Sequence, residues 1–112
     1  MLIRLACFKG RIRPGREADF HQHVDKELVP LWQRFPNARE VHVMRQHHSD
    51  VDDPALPLVI AMHFDNQASI DEALVSPVRI ESQQASRALL DMFDGSVFHT
   101  VFETISSGSE SK

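Results

Sequence analysis

Seven of the 112 residues are histidine, the side chain whose ordinary pKa best suits proton transfer near neutrality. Three of them stand where an apolar residue would fit the pattern. His63 interrupts Leu58-Val59-Ile60-Ala61-Met62-His63-Phe64, His99 interrupts Val97-Phe98-His99-Thr100-Val101-Phe102, and His21 borders an apolar helical stripe. An imidazole facing a sequestered substrate can take up or deliver a proton, which makes His63, His99 and His21 candidate catalytic residues. The ordinary alternative for each is a buried or boundary histidine satisfied by a hydrogen bond. Trp32 could hold a ring. Ser82 and Ser86 lie on the inward arc of the last helix and could offer hydroxyls and space to a ligand; the alternative is close helix packing. His23, beside Glu27, is expected in solvent.

Other chemistries find little support. His47-His48-Ser49-Asp50 with Asp52 and Asp53 has ligand-type residues, but a solvated acidic loop explains them better than a metal centre, which needs converging ligands. Cys7 has no CxxC partner and reads as a buried structural thiol. Gly10-Arg11-Ile12-Arg13-Pro14-Gly15 is a turn rather than a phosphate cradle, and neither GxSxG nor GxGxxG occurs. No metal and no organic cofactor is expected.

The elements that must position these residues follow from period and punctuation. Residues 2–12 form a first strand, stopped by Arg13-Pro14-Gly15. Phe20, Val24, Leu28, Leu31 and Phe35 then form a helical stripe over residues 16–35, with Pro30 bending the helix or marking its last turn. Residues 39–48 and 58–65 are a second and third strand. Ser69–Leu74 is a short helix. Ser76-Pro77 caps another, whose apolar face carries Val78, Ala85, Leu89, Met92 and Phe93. Asp94-Gly95 reads as its stop, followed by a last strand over 96–105. Residues 1–105 form one domain, and 106–112 a flexible tail.

The order β-α-β-β-α-β is the split βαβ, ferredoxin-like pattern: an α+β fold with a four-stranded antiparallel sheet, order 4-1-3-2, and both helices on one face. The uncovered face remains rich in Val, Ala, Leu and Phe. A bare apolar face of this extent implies an interface, and two-fold closure onto a second copy gives a sheet-to-sheet homodimer, a dimeric α/β barrel.

Several stretches resemble the EthD-like group of the dimeric α/β-barrel, antibiotic-biosynthesis-monooxygenase-type superfamily. They are Arg13-Pro14-Gly15 with Phe20, Ala61-Met62-His63-Phe64-Asp65, Ala73-Leu74-Val75-Ser76-Pro77 and Phe93-Asp94-Gly95. These are turn, strand and cap positions, so the resemblance implies fold more than chemistry. Members often carry His-x-Pro in the first helix, where this chain has Leu28-Val29-Pro30, so an activity using that histidine is not implied. The group is linked to small-molecule catabolism, often without a defined reaction.

Bulk composition narrows the partners. The net charge is -4 and no basic run occurs, which argues against nucleic acid. The longest apolar run, Leu56 to Met62, is far short of the roughly 20 residues of a membrane span. With a single cysteine and too few residues before it for a signal peptide, a soluble cytoplasmic protein is expected. The functional expectation is an apolar or aromatic metabolite bound or transformed in a helix–sheet pocket, by cofactor-free oxygenation or isomerisation with His as acid or base. The alternatives are a non-catalytic dimeric ligand-binding module and a structural or stress-related one.

Overall fold

The computed structural model describes residues 1–106 and Gly108. Four strands, β1 (Leu2–Ile12), β2 (Glu40–Arg45), β3 (Leu58–Phe64) and β4 (Phe93–Glu103), make one antiparallel sheet in the order β2-β3-β1-β4. Helices α1 (Glu17–His23) and α2 (Val29–Trp32), joined by a π turn at Val24–Leu28, separate β1 from β2. Helices α3 (Gln67–Leu74) and α4 (Pro77–Leu90) separate β3 from β4. The α+β, ferredoxin-like order read from the sequence is the one observed. Most of the tail expected at 106–112 lies outside the described residues.

Strand register sorts the sheet into two rows, because successive side chains alternate between faces. Leu2, Arg4, Ala6 and Phe8 share a face with Leu58, Ile60, Met62 and Phe64 of β3 and with Val97 and His99 of β4. Phe20, Val24, Leu28, Trp32, Ile70, Val78 and Leu89 from the helices pack onto this face as one buried core. Burying each large apolar side chain there is worth about 1.5–3 kcal/mol. Phe8 meets Phe20 and Phe93 edge-on, with ring centroids 6.2 and 5.6 Å apart, the geometry that ring quadrupoles favour. The other row holds Ile3, Leu5 and Cys7, Val59, Ala61 and His63, and Phe98 and Phe102. Phe98 and Phe102 remain 42% and 56% exposed.

Local chemistry explains most boundaries. Gly15, at φ 82°, turns the chain after β1. Ser76 accepts a hydrogen bond from the Arg79 N–H at 3.3 Å and Pro77 opens α4, as the sequence predicts. β2 stops at Arg45 rather than 48, because Arg45 pairs with Leu58, the first residue of β3; beyond it no strand offers a ladder.

Two expectations change. Asp94-Gly95 does not end a helix. α4 closes at Leu90 with Asp91 as its C-cap, Met92 lies in the turn, and Phe93 already opens β4. Gly95 instead pairs with Gly10 across the β1–β4 ladder, at φ 155° and 142°. A Cβ on Gly10 would run into Asp94 O and Gly95 Cα, and one on Gly95 into Lys9 O and Gly10 Cα, so both must be glycine for the strands to approach.

In the first helix Pro30 falls in the last turn, one of the two roles the sequence gives it. The helix widens before it, where the Val29 N–H bonds to the Val24 carbonyl five residues back. Phe20, Val24, Leu28 and Trp32 are all buried, a spacing of four. Three such steps of regular α-helix would overshoot by about 120°; the wider π turn takes most of this back and returns Trp32 to the core face.

His23 is not solvated either. It is half-buried, and its Nε2–H donates to the Ala85 carbonyl of α4 at 2.7 Å, because α1 and the π turn run beside α4.

Candidate functional site

A cleft opens between α4 and the core face of the sheet. One side of α4, stepping through Arg79, Ser82, Gln83, Ser86, Arg87 and Leu90, forms its upper wall. These positions recur at intervals of three and four, so they share a face of the helix. The sheet supplies Arg4, Ala6 and Phe8 from β1, Ile60 and Met62 from β3, and Val97 and His99 from β4, while Trp32 and Phe35 close the inner end. Ala6 lies between Ile60 and His99 in the ladder, and its short side chain leaves space that a larger residue would fill. The cavity measures about 360 Å³, within the range of small-molecule sites and large enough for a substituted ring.

Its chemistry is mostly apolar with one positive region. Arg4, Arg79 and Arg87 line it, and no carboxylate does among the described residues. Arg79 spends one N–H on the Leu74 carbonyl at 3.1 Å. Burial, and then Arg79, make the Arg4 guanidinium less favourable as a cation. His99 is exposed to solvent on β4, yet partial desolvation of its ring and then the Arg4 and Arg79 charges push its imidazole below the ordinary range. A neutral imidazole at neutral pH is a proton acceptor, and the two guanidiniums that add to the effect of burial have no counter-ion in the cleft among the described residues.

The serine hydroxyls take the opposite polarity. Ser82 Oγ–H donates to the Arg79 carbonyl at 2.8 Å and Ser86 Oγ–H to the Ser82 carbonyl at 2.7 Å. With their protons turned into the helix, both oxygens retain lone pairs to accept from a ligand N–H or O–H.

Of the candidate residues, the structure brings together His99, Trp32, Ser82 and Ser86 around this one cleft. It separates the other two. His63 projects from the uncovered sheet face, where its ring lies 5.5 Å from that of His42; it has no access to the cleft. His21 lines a different hollow with Gly10, Glu17, Arg45 and Pro57. Burial, then Arg45, lowers its imidazole against the opposing pull of Asp25 and Glu17, and its Nδ1 is buried without a hydrogen-bond partner among the described residues. Cys7 is buried on the uncovered face and burial raises its thiol, which suits a structural role.

Arg4 and Arg79 were not singled out from the sequence. The signal for Arg4 was present: it breaks the row Leu2, Ala6, Phe8 as His63 and His99 break theirs. Arg79 stands one turn before Ser82 and Ser86 on the same helical arc.

No protein-family model matches this chain, and no curated protein matches it. Solved structures share its fold at low identity. An ethyl tert-butyl ether D (EthD) family protein from Bacillus halodurans C-125 is 18% identical, with a TM-score of 0.74 over 94% of this chain and all of that one. A dimeric ferredoxin-like protein of unknown function from Jannaschia sp. CCS1 is 17% identical, with a TM-score of 0.66 over 92% and 98% of the two chains. SnoaB, a cofactor-independent oxygenase from Streptomyces nogalater, is 16% identical, with a TM-score of 0.64 over 97% of each chain. The chain therefore shares the ferredoxin-like α+β fold of these proteins, as the sequence resemblance implies. Fold alone does not carry a reaction.

Proposed function

We propose that this protein binds an acidic or anionic aromatic small molecule in the cleft beneath α4 and moves a proton on it with His99. The observation that carries the proposal is the charge arrangement: Arg4 and Arg79 flank a neutral-leaning imidazole over an apolar floor, with no carboxylate lining the cleft among the described residues. A carboxylate, phenolate or enolate placed between the guanidiniums relieves their repulsion and gains charge-assisted hydrogen bonds. Trp32, Phe8 and Phe35 then face the ring, and Ser82 and Ser86 accept from its hydroxyl or amide hydrogens.

In that pose His99 takes a proton from an acidic C–H or O–H. The guanidiniums stabilise the anion as it forms. Returning the proton at another atom gives isomerisation. Passing electrons from the substrate anion to dioxygen gives a cofactor-free oxygenation, the class of reaction named for SnoaB. Both need a positioned base and a sequestered substrate.

The assembly in this reading is a homodimer closed through the uncovered sheet face, as dimers are described for the Jannaschia protein. That closure leaves the cleft, on the opposite face, free. A single, unpaired Cys7 suits a reducing cytoplasm. Among the described residues no helix is long and apolar enough to cross a membrane.

A second reading keeps the ligand and drops the reaction: the same cleft serves a non-catalytic binding module. One experiment separates them. A panel of aromatic carboxylic acids and phenols is screened by ligand-detected NMR against the wild type, His99→Ala and Arg79→Ala, and binders are incubated aerobically and in deuterated water. Binding lost with Arg79→Ala, together with His99-dependent deuterium exchange or product formation, supports the enzyme. Binding with no exchange or product supports the module. No binder across the panel sinks both.

A further inference from the structure

On the other face of the sheet, at the end away from β4, three side chains converge that the cleft does not use. Glu40 and His42 lie two residues apart on β2 and so share a face. His63 on β3 is the direct cross-strand partner of Glu40. One donor atom from each lies within 4.8 Å of the other two, and His42 Nε2 already sits 2.9 Å from Glu40 Oε1.

We propose that Glu40, His42 and His63 form a binding site for a divalent transition cation of the zinc or nickel class. The donor set is two imidazoles and one carboxylate, which borderline cations favour over calcium or magnesium. In a tetrahedral site with bonds of about 2.1 Å the donors sit about 3.4 Å apart, so small side-chain rotations bring the present cluster to ligand spacing. The backbone beneath is held by the β2–β3 ladder and by the Arg39 N–H, which donates to the His63 carbonyl at 2.7 Å. Arg39, the chain neighbour of Glu40, is occupied by a two-pronged pair with Asp65, at 2.7 and 3.1 Å.

All three donors come from one chain, so the site does not need a second copy to bind. One or more coordination positions face outward from the sheet, to be filled by water or, in the proposed dimer, by the partner's sheet. The cation would clip the edge strand β2 to β3. The sequence offered His47-His48 with nearby aspartates as a local ligand pattern; this cluster instead joins Glu40 and His42 to His63, more than twenty positions further along the chain.

The test uses the full untagged chain, stripped with chelator and titrated with zinc or nickel ions alone by calorimetry. One equivalent per chain is expected, with a rise in melting temperature. His42→Ala, His63→Gln and Glu40→Gln should each weaken binding by at least about tenfold, whereas a His47→Ala/His48→Ala variant should bind as the wild type does. Histidine ring nitrogens of His42 and His63 should shift in NMR spectra on adding zinc. Absence of a stoichiometric site overturns the proposal and leaves a Glu40–His42 hydrogen bond. So does binding that survives the His42→Ala/His63→Gln double variant.

Discussion

Ala6 and His99 are cross-strand partners, whereas His63 is partnered by Ile3. That one difference sends the two histidines to opposite faces of the sheet. β1–β3 partners share odd or even numbering, and β1–β4 partners do not. An odd-numbered residue on β3 therefore joins the uncovered face with Ile3, Leu5 and Cys7, while an odd-numbered residue on β4 joins the cleft with Arg4, Ala6 and Phe8.

The cleft arginines should dominate ligand affinity. Arg79→Ala removes a charged donor, and hydrogen bonds to charged groups are worth about 1.5–3 kcal/mol, so the affinity for an aromatic carboxylate should fall by about tenfold to a hundredfold. Arg79→Lys, which keeps the charge but loses the planar fork, should lie between. Titration by NMR or calorimetry checks this, and an Arg79→Ala protein that binds acids as tightly as the wild type contradicts the charge argument.

Filling the cavity should abolish binding without unfolding the chain. Ser86 is half-buried and faces the cleft from a helix whose core contacts lie elsewhere, at Val78 and Leu89. Ser86→Leu should leave the melting temperature nearly unchanged and eliminate ligand-induced shifts. Retained binding would place the ligand outside this cleft.

Stability should depend on pH in a defined direction. His99 and His21 both hold their protons less tightly when folded, burial being the first cause in each case. The unfolded chain therefore takes up the proton first as pH falls. Their contribution is complete above the ordinary histidine value of about 6.5 and is lost as pH drops through the lowered folded values. Urea midpoints measured from about pH 7.5 down to 5 should decline, and His99→Gln should flatten part of that decline. A His99→Gln variant with the wild-type slope would remove His99 from this account.

The uncovered face should control assembly. Phe98→Glu with Phe102→Glu places charges on exposed rings of that face. Light scattering at micromolar concentration should report a dimer for the wild type and a monomer for the double variant, with cleft ligand binding retained. A wild type that is already monomeric refutes the sheet-to-sheet dimer.

Gly95→Ala should be costly for a backbone reason. The added methyl meets Lys9 O and Gly10 Cα in a left-handed conformation that L-residues avoid. A loss of about 2 kcal/mol or more is expected in denaturant unfolding, and a value near zero would mean the β1–β4 ladder separates there freely.

Much of this was readable from one dimension because the signals were local. The change of period from two to near four marks strands and helices, Ser76-Pro77 marks the start of α4, and the spacing of Ser82 and Ser86 puts both on one arc. What escaped depends on pairing. Asp94-Gly95 looks like a helix stop until Gly10 is seen opposite Gly95, and His23 looks solvated until α4 lies beside it. The faces of His63 and His99 depend on a register that no single strand encodes. Arg4 was overlooked because an arginine in a strand usually reads as an edge or solvent residue, and only the helix above it turns that position into a cleft wall.

The π turn at Val24–Leu28 carries a last consequence. It is in effect one surplus residue in an otherwise regular helix. A chain shortened by that residue would regain unbroken α-helical bonding and be locally the sounder structure. Phe20 and Trp32 would then stand eleven residues apart, within about 20° of one helical face, so Trp32 would keep its place at the inner end of the cleft. The surplus residue therefore alters the local bonding alone: a single deletion there should leave both the core face and the cleft wall where they are.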